Sequence, residues 1–377
     1  QRLCSLLGLE GRRPLTLGSL GGECELKIDA GSLDGRLSII VGRKGTGKSY
    51  LAKLLILGLV SYGAPCLILD VNGEYAGLGL NPDGTFNRYH EKIRVLRPGG
   101  NFKVTLAYAG KPAIHNILVH VLSTPENSTR EFFRIWGILE ARGGLSLKAL
   151  RKAIETDGGL HENIREALLS RLSFLERSGF FTDKEGEALK IESLFSEVED
   201  GGALVLDLSG SSPLERRMVV EFMLGKLTEL LRVWRLRAVF LFAEEAHLYL
   251  RETYWEDVIT RMRHLGLFTT FITNQPDSLR EEIYRQADNI FLFNFVNEHD
   301  LNAIARVARI DGETVRTIAQ SLQPYHCLLI GHAVKDLPLT IKVKKLEVKA
   351  MGETRTFFTE VEGEVKSIQP PKAALYG

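Results

Sequence analysis

Cysteine is scarce. The 377 residues hold four, Cys4, Cys24, Cys66 and Cys327, far apart and without a C-x-x-C pair or a Cys/His cluster. That distribution argues against a zinc site and against a disulfide framework, and makes the reducing cytoplasm the default expectation. Long apolar runs are also missing. No stretch reaches the ~18 residues of a membrane span, because Ser61, Gly63 and Pro65 interrupt the most apolar region, and no signal peptide opens the chain. An excess of one charge is lacking too: 48 basic and 47 acidic residues leave a formal net charge of +1. Whole-chain charge therefore neither demands nor excludes a nucleic-acid partner, and a surface for one has to be local or built by assembly. No internal repeat or low-complexity tract stands out. What remains is a chain with 44% hydrophobic residues, enough for one large α/β domain with an insertion or for two domains.

Short apolar runs at residues 37–41, 65–71, 203–208, 238–243, 268–273 and 289–293 read as strands buried on both faces. Helical segments such as 50–62 and 215–234 separate them, which predicts an α/β fold, a doubly wound, mainly parallel sheet with ligands at the carboxyl ends of its strands. Residues 113–122, 128–142, 146–155 and 161–178 carry helical periodicity instead, with start signals at Ser128-Thr129 and Ser146. They predict a helical insertion standing as a bundle on the edge of the sheet. Residues 325–330 and 339–346 read as two further strands. The expected organisation is an N-terminal cap segment (1–36), a first part of the core (37–110), the insertion (111–198), a second part of the core (199–346) and a C-terminal arm or tail (347–377) carrying Pro370-Pro371.

The chemistry begins at Gly42-Arg43-Lys44-Gly45-Thr46-Gly47-Lys48-Ser49, which follows the run 37–41 and precedes a helical stretch opening at Tyr50. Strand, glycine loop and helix in that order form a phosphate-binding loop. Its backbone N–H groups turn onto the phosphates, Lys48 brings a point charge, Ser49 offers a hydroxyl to Mg²⁺, and the helix adds its positive end. A bound nucleoside triphosphate is the expectation.

Hydrolysis needs a metal-side acid and a carboxylate that orients or activates water, both at strand ends. Glu244 closes the run 238–243 and suits the first role; Glu245 beside it suits the second, the competing account being a solvated pair that caps a following helix. His247 is either a relay of nucleotide state or structural. Thr273-Asn274-Gln275, before Pro276, offers groups that can sense the terminal phosphate, or is merely a polar turn. Asp70-Val71-Asn72-Gly73-Glu74-Tyr75 sets Asp70 and Glu74 beside the phosphate loop. Arg261 and Arg263 lead out of a helix expected at 254–262; either reaches the site of a neighbouring subunit or complements its own helix end. Basic candidates for nucleic-acid contact are Arg232, Arg235 and Arg237, otherwise a solvated face, and Lys342, Lys344 and Lys345, otherwise the protection of an edge strand.

These motifs in this order resemble the HerA/FtsK superfamily of ring-forming P-loop translocases, most closely the HerA-like ATPases. The resemblance rests on the phosphate loop, the run 70–75, Glu244-Glu245-Ala246-His247, Arg263-His264-Leu265-Gly266, Asn274-Gln275-Pro276, Asp288-Asn289 and Ile330-Gly331-His332-Ala333-Val334, covering roughly residues 15–345. It implies a RecA-like core with a helical insertion, assembled as a hexameric ring that hydrolyses ATP with Mg²⁺ and pumps double-stranded DNA, with a nuclease or other effector as partner. Under it, Gly42 to Tyr50 bind the nucleotide, Ser49 and Glu244 serve the metal, Glu245 is the catalytic base, Gln275 the sensor, and Arg263 or Arg261 acts in trans. His264 departs from the lysine common there, Pro276 replaces an arginine that often follows the sensor, and only about 36 residues precede the first core strand, where HerA proteins usually carry a β-barrel. A secretion or assembly ATPase acting on protein, or a nucleotide-dependent scaffold of a defence complex, is the alternative.

Overall fold

The apolar runs become strands because successive side chains feed two different cores. Ile39 and Val41 pack into one apolar cluster while Ile40 packs into the other; Leu67 and Leu69 oppose Cys66 and Ile68, and Leu204 and Leu206 oppose Ala203 and Val205. Both faces are covered, so the runs are continuous rather than alternating. The computed structural model describes residues 8–22, 24–233, 235–249, 262–295, 312–349 and 351.

Eleven strands form one sheet: β1 (Pro14–Leu20), β2 (Cys24–Asp29), β3 (Ser38–Val41), β4 (Pro65–Asp70), β5 (Ile93–Leu96), β6 (Gly202–Asp207), β7 (Val239–Glu244), β8 (Leu267–Thr273), β9 (Asn289–Leu292), β10 (His326–Gly331) and β11 (Leu339–Val343). Their order is β2-β1-β11-β10-β9-β3-β8-β7-β4-β6-β5. From β9 to β5 all neighbours are parallel; β10, β11, β1 and β2 extend the sheet antiparallel. This is the mostly parallel RecA-like sheet expected, with a larger antiparallel wing.

The wing corrects two expectations. Residues 14–29 are a hairpin built into the sheet rather than a separate cap; the alternation of Cys24, Leu26 and Ile28 with Glu25 and Lys27 carries it, but over too few residues to stand out. Strand β11 lies between β1 and β10, so its exposed Lys342 does not guard a sheet edge. Cys24 is disulfide-bonded, which the spacing that argued against a disulfide framework did not anticipate, while Cys66 and Cys327 are buried free thiols.

On one face lies α1 (Lys48–Ser61), whose Leu51, Leu55, Ile56 and Leu59 pack on the sheet. Its other side meets β1 so closely that a Cβ on Gly58 would lie 2.4 Å from Leu15 Cδ2.

The insertion comprises α2 (Leu106–Asn116), continued by a π turn over Ile117–Val121, then α3 (Glu126–Ala141), α4 (Leu147–Thr156), α5 (Glu162–Arg177) and α6 (Ile191–Ser196). Ser146 caps α4 as expected, accepting from Ala149 N at 3.1 Å. Ser128 and Thr129 instead sit buried in the first turn of α3, which opens after Pro125. Helix α7 (Pro213–Arg232) starts at a capping box in which Ser212 and Glu215 bond each other's backbone. It covers the other face of the sheet, and the insertion adds to that same core: Phe180 meets Phe222 edge to face at 5.2 Å, and Trp136 belongs to the cluster that holds Val41 and Leu69. The insertion is thus continuous with the core of the sheet and not a bundle perched on its edge. Helices α8 (Glu281–Gln286) and α9 (Gly312–Ser321) complete the described α-helices. Among them no helix is long and apolar enough to cross a membrane. The expected helix at 254–262 and the tail from 352 onward lie outside the described residues.

Candidate functional site

Strand β3 ends at Val41 and α1 begins at Lys48, so residues 42–47 must turn the chain above the sheet. Gly47 sits at φ 114°, and a Cβ there would come within 3.1 Å of the Phe293 and Tyr325 rings; only glycine fits such a position. The loop is closed on itself. Thr46 Oγ1 and Lys48 Nζ both donate to the Arg43 carbonyl, at 2.7 and 3.0 Å. Outside supports come from Arg43 N–H to Asn294 O, 3.0 Å, and Tyr325 N–H to Thr46 O, 2.8 Å. Arg43, Lys44 and Gly45 are exposed, Ser49 and Tyr50 half-buried, and Lys48 buried. Burial holds the Lys48 ammonium below the ordinary lysine range, against the opposing pull of Glu245, Glu244 and Glu74.

Those three carboxylates arrive from strands that are not the direct neighbours of β3. Strand β8 lies between, then β7, then β4. At about 4.8 Å per strand, the Glu244 strand stands roughly 10 Å from the loop strand. Thr273-Asn274-Gln275 ends the intervening β8 beside the loop, with Val41 paired to Thr273.

Glu244 is fully buried, and the Tyr75 hydroxyl donates to its Oε2 at 2.5 Å. Desolvation dominates and pushes its carboxyl up to about 8, although the Tyr75 bond and Lys48 pull it down. Tyr249 donates to the Glu244 carbonyl at 3.2 Å. Glu245 follows in a left-handed conformation, φ 47° and ψ 47°, uncommon for a residue with a Cβ and a form of local strain met at functional sites. Its carboxyl is also raised, first by burial, with Lys48 opposing. Its Oε2 has no hydrogen-bond partner among the described residues and stands 3.3 Å from His247 Nδ1, without the alignment of a hydrogen bond. His247 Nδ1 pairs instead with the Thr273 hydroxyl at 3.1 Å, and the same hydroxyl accepts from Gln275 N–H at 3.0 Å. One threonine thus ties the end of β8 to the turn after β7. Asn274 Oδ1 is a further buried acceptor without a partner among the described residues.

The run after β4 divides into two tasks. Asp70 is buried and accepts from Glu74 N and Tyr75 N at 3.0 and 2.9 Å, so it shapes the turn rather than facing the loop. Its carboxyl is pushed up to about 6, chiefly by burial. Glu74 and Tyr75, which the turn delivers, are the members that interact with Lys48, Glu244 and Glu245.

Arg263 sits elsewhere. It precedes β8, whose amino end is the far edge of the sheet, separated from the phosphate loop by a strand of roughly 20 Å. There it pairs with Asp288 Oδ2 at 3.5 Å, while Arg36 takes Asp288 Oδ1 at 3.2 Å and Leu37 N–H donates to Asp288 Oδ2 at 2.9 Å. Asn289 Oδ1 accepts from Ala333 N–H at 2.7 Å at the same edge. The motif residues therefore occupy two opposite edges, and Arg263 does not reach the loop of its own chain. Arg261 lies outside the described residues. Arg232, Arg235 and Arg237 are exposed near the amino end of β7, with Arg235 4.0 Å from Glu192.

The surroundings of Glu244 fit a magnesium ion. Among the described residues no cluster of three or more His, Cys, Asp or Glu could hold a metal by itself. A hard cation bound mainly through phosphates and water needs only one or two protein oxygens. Glu244, a buried carboxylate fixed by Tyr75, and the Ser49 hydroxyl are the residues present for it, with the orphaned Asn274 Oδ1 available to a bound water.

Residues 15–227, more than half of the chain, match the family described as the central domain of the helicase HerA. The chain belongs to the HerA family. Its sheet and loop are those of the HerA/FtsK superfamily of P-loop ATPases. Comparison with curated protein sequences gives no match. Among solved structures, VirB4 of Thermoanaerobacter pseudethanolicus is 14% identical, with a TM-score of 0.65 over 90% of this chain and 98% of that one. The conjugative coupling protein TrwB in its trigonal form with sulphate is 14% identical, TM-score 0.62, over 93% and 92%. TrwB with an ATP analogue is 13% identical, TM-score 0.62, over 92% and 93%. At these identities the likeness to this HerA-family chain is one of fold.

Sequence reasoning passed over three features of the site: the Tyr75–Glu244 bond, the Thr273 junction and the tyrosine at 325. The first two depend on which strands are neighbours, and the third on a turn with no motif.

Proposed function

We propose that this HerA-family chain is the ATP-hydrolysing subunit of a ring motor that moves double-stranded DNA. The observation that carries hydrolysis is the convergence of Lys48, Glu244, Glu245 and Glu74 at one edge of the sheet, the last three delivered across an intervening polar strand end. TrwB, which shares this fold, has structures in complex with non-hydrolysable analogues of ATP and GTP, which supports a nucleoside triphosphate as the ligand.

In this reading Gly42 to Tyr50 cradle the triphosphate, and Lys48 exchanges the Arg43 carbonyl for the terminal phosphates. Mg²⁺, when bound, would supply charge neutralisation to the phosphates, and Ser49 and Glu244 are the residues that would hold it. Glu245 accepts the proton of the attacking water, for which its raised basicity and unpartnered Oε2 suit it. Gln275 and Asn274, at the end of β8, orient that water and sense the γ-phosphate. Arg263 acts on a neighbouring subunit, since an arginine at the amino edge serves a site only across an interface. That requirement supports a closed ring, with six subunits as the expected count.

Turnover measured with and without long duplex DNA tests the motor. Stimulation that falls as salt rises is expected, because phosphate contacts release counterions. Basal turnover with no response to duplex DNA would favour an ATPase acting on protein.

A further inference from the structure

The groups that can act on a terminal phosphate all come from one side of β3: β8, β7 and β4. A triphosphate seated with its γ end toward Glu244 and Glu245 must carry its nucleoside to the other side, where β9 ends at the same edge. Strand β10 runs antiparallel to β9, with Leu328 opposite Leu292, so the turn before β10 stands there too. That turn presents Tyr325.

The placement of Tyr325 is unusually fixed. Its backbone is left-handed at φ 62°, a conformation that a tyrosine keeps only when its surroundings impose it. Its N–H donates to the Thr46 carbonyl and its own carbonyl accepts from Val343 N–H, both at 2.8 Å. The ring lies against Gly47 and meets the Tyr50 ring edge to face, centroids 5.3 Å apart at 72°. Yet the residue remains 42% exposed. A large aromatic held by its backbone against the phosphate loop, with part of its surface open to solvent, offers a face on which a flat ligand can stack.

We propose that Tyr325 is the base platform of the site: its ring stacks on the purine of the bound nucleoside triphosphate, with Tyr50 bracing it edge-on. This rests on the nucleotide reading above and adds the group that selects nucleosides over bare phosphates. Stacking on an aromatic tolerates any purine, because each offers a π-face.

The test compares Mg·ATPγS with inorganic tripolyphosphate, which lacks the base, by titration calorimetry on the full chain. Tyr325→Leu keeps apolar cover on Gly47 but has no π-face. It is expected to weaken ATPγS roughly five- to fiftyfold and leave tripolyphosphate unchanged. Tyr325→Phe restores the ring and is expected to recover binding to within about twofold of the wild type. Equal weakening of both ligands by Tyr325→Leu would make the ring a prop of the loop and overturn the proposal. Unchanged ATPγS affinity would overturn it as well. A wild-type chain that binds neither ligand would refute the nucleotide site itself and the platform with it; one that binds tripolyphosphate as tightly as ATPγS would refute the platform alone.

Discussion

Replacing Glu244 by Gln should make the empty protein more stable as the pH rises, although it removes a residue of the proposed metal site. Glu244 is 1% exposed, and burial lifts its carboxyl from 4.5 to about 8. Between those values the folded chain keeps a proton that the unfolded chain releases. The stability tied to that proton is full below the unfolded value, near pH 4.5, and is lost as pH rises through about 8. The loss approaches about 1.4 kcal/mol per pH unit, so at pH 7.5 keeping that proton in the folded chain costs on the order of 4 kcal/mol. Glutamine has no proton to lose and still accepts the Tyr75 hydroxyl. Glu245 is shifted in the same direction and, like Lys48, interacts with Glu244, so the difference between the two proteins reads this coupled group rather than one carboxyl alone. Thermal unfolding at constant ionic strength, without nucleotide or divalent cation, is the assay. Tm values that nearly coincide at pH 5 and diverge toward pH 8, with Glu244→Gln higher by several degrees, are expected. Curves that stay parallel from pH 5 to 8 would refute the reasoning.

Two further outcomes follow from the same geometry. Tyr75→Phe deletes the 2.5 Å bond to Glu244 and is expected to raise the Mg²⁺ concentration for half-maximal turnover roughly tenfold; an unchanged Mg²⁺ dependence would count against Tyr75 as its positioning partner. If Arg263 completes a neighbour's site, Arg263→Ala and Lys48→Ala subunits, each inactive alone, should regain partial turnover when mixed, because some interfaces then combine an intact loop with an intact arginine. Mixtures no more active than their components would return Arg263 to its local pairing with Asp288.

The core strands and the phosphate loop were legible because their signals are local: runs buried on two faces, and glycines at fixed spacing before a helix. Glu244 and Glu245 could be singled out for the same reason, as polar groups ending an apolar run. What the sequence does not carry is which strands are neighbours. Asp70 and Glu74 look equivalent in the run 70–75, yet Asp70 turns inward to hold the backbone of Glu74 and Tyr75, and only the latter two reach the site. Arg263 is close to Gln275 in sequence, but β8 carries them to opposite edges. The hairpin at 14–29 was hidden by its length, and the insertion's union with the main core by the distance between Phe180 and Phe222 along the chain.

Glu245 tests the account most directly. Phosphate release and equilibrium binding of Mg·ATP, measured side by side on wild type and Glu245→Gln, separate its proposed role as base from binding. ATP affinity within about threefold of wild type, with turnover down roughly a hundredfold or more, is the result predicted. Turnover that persists in Glu245→Gln at the wild-type rate would contradict it and move the base elsewhere among the groups at this edge.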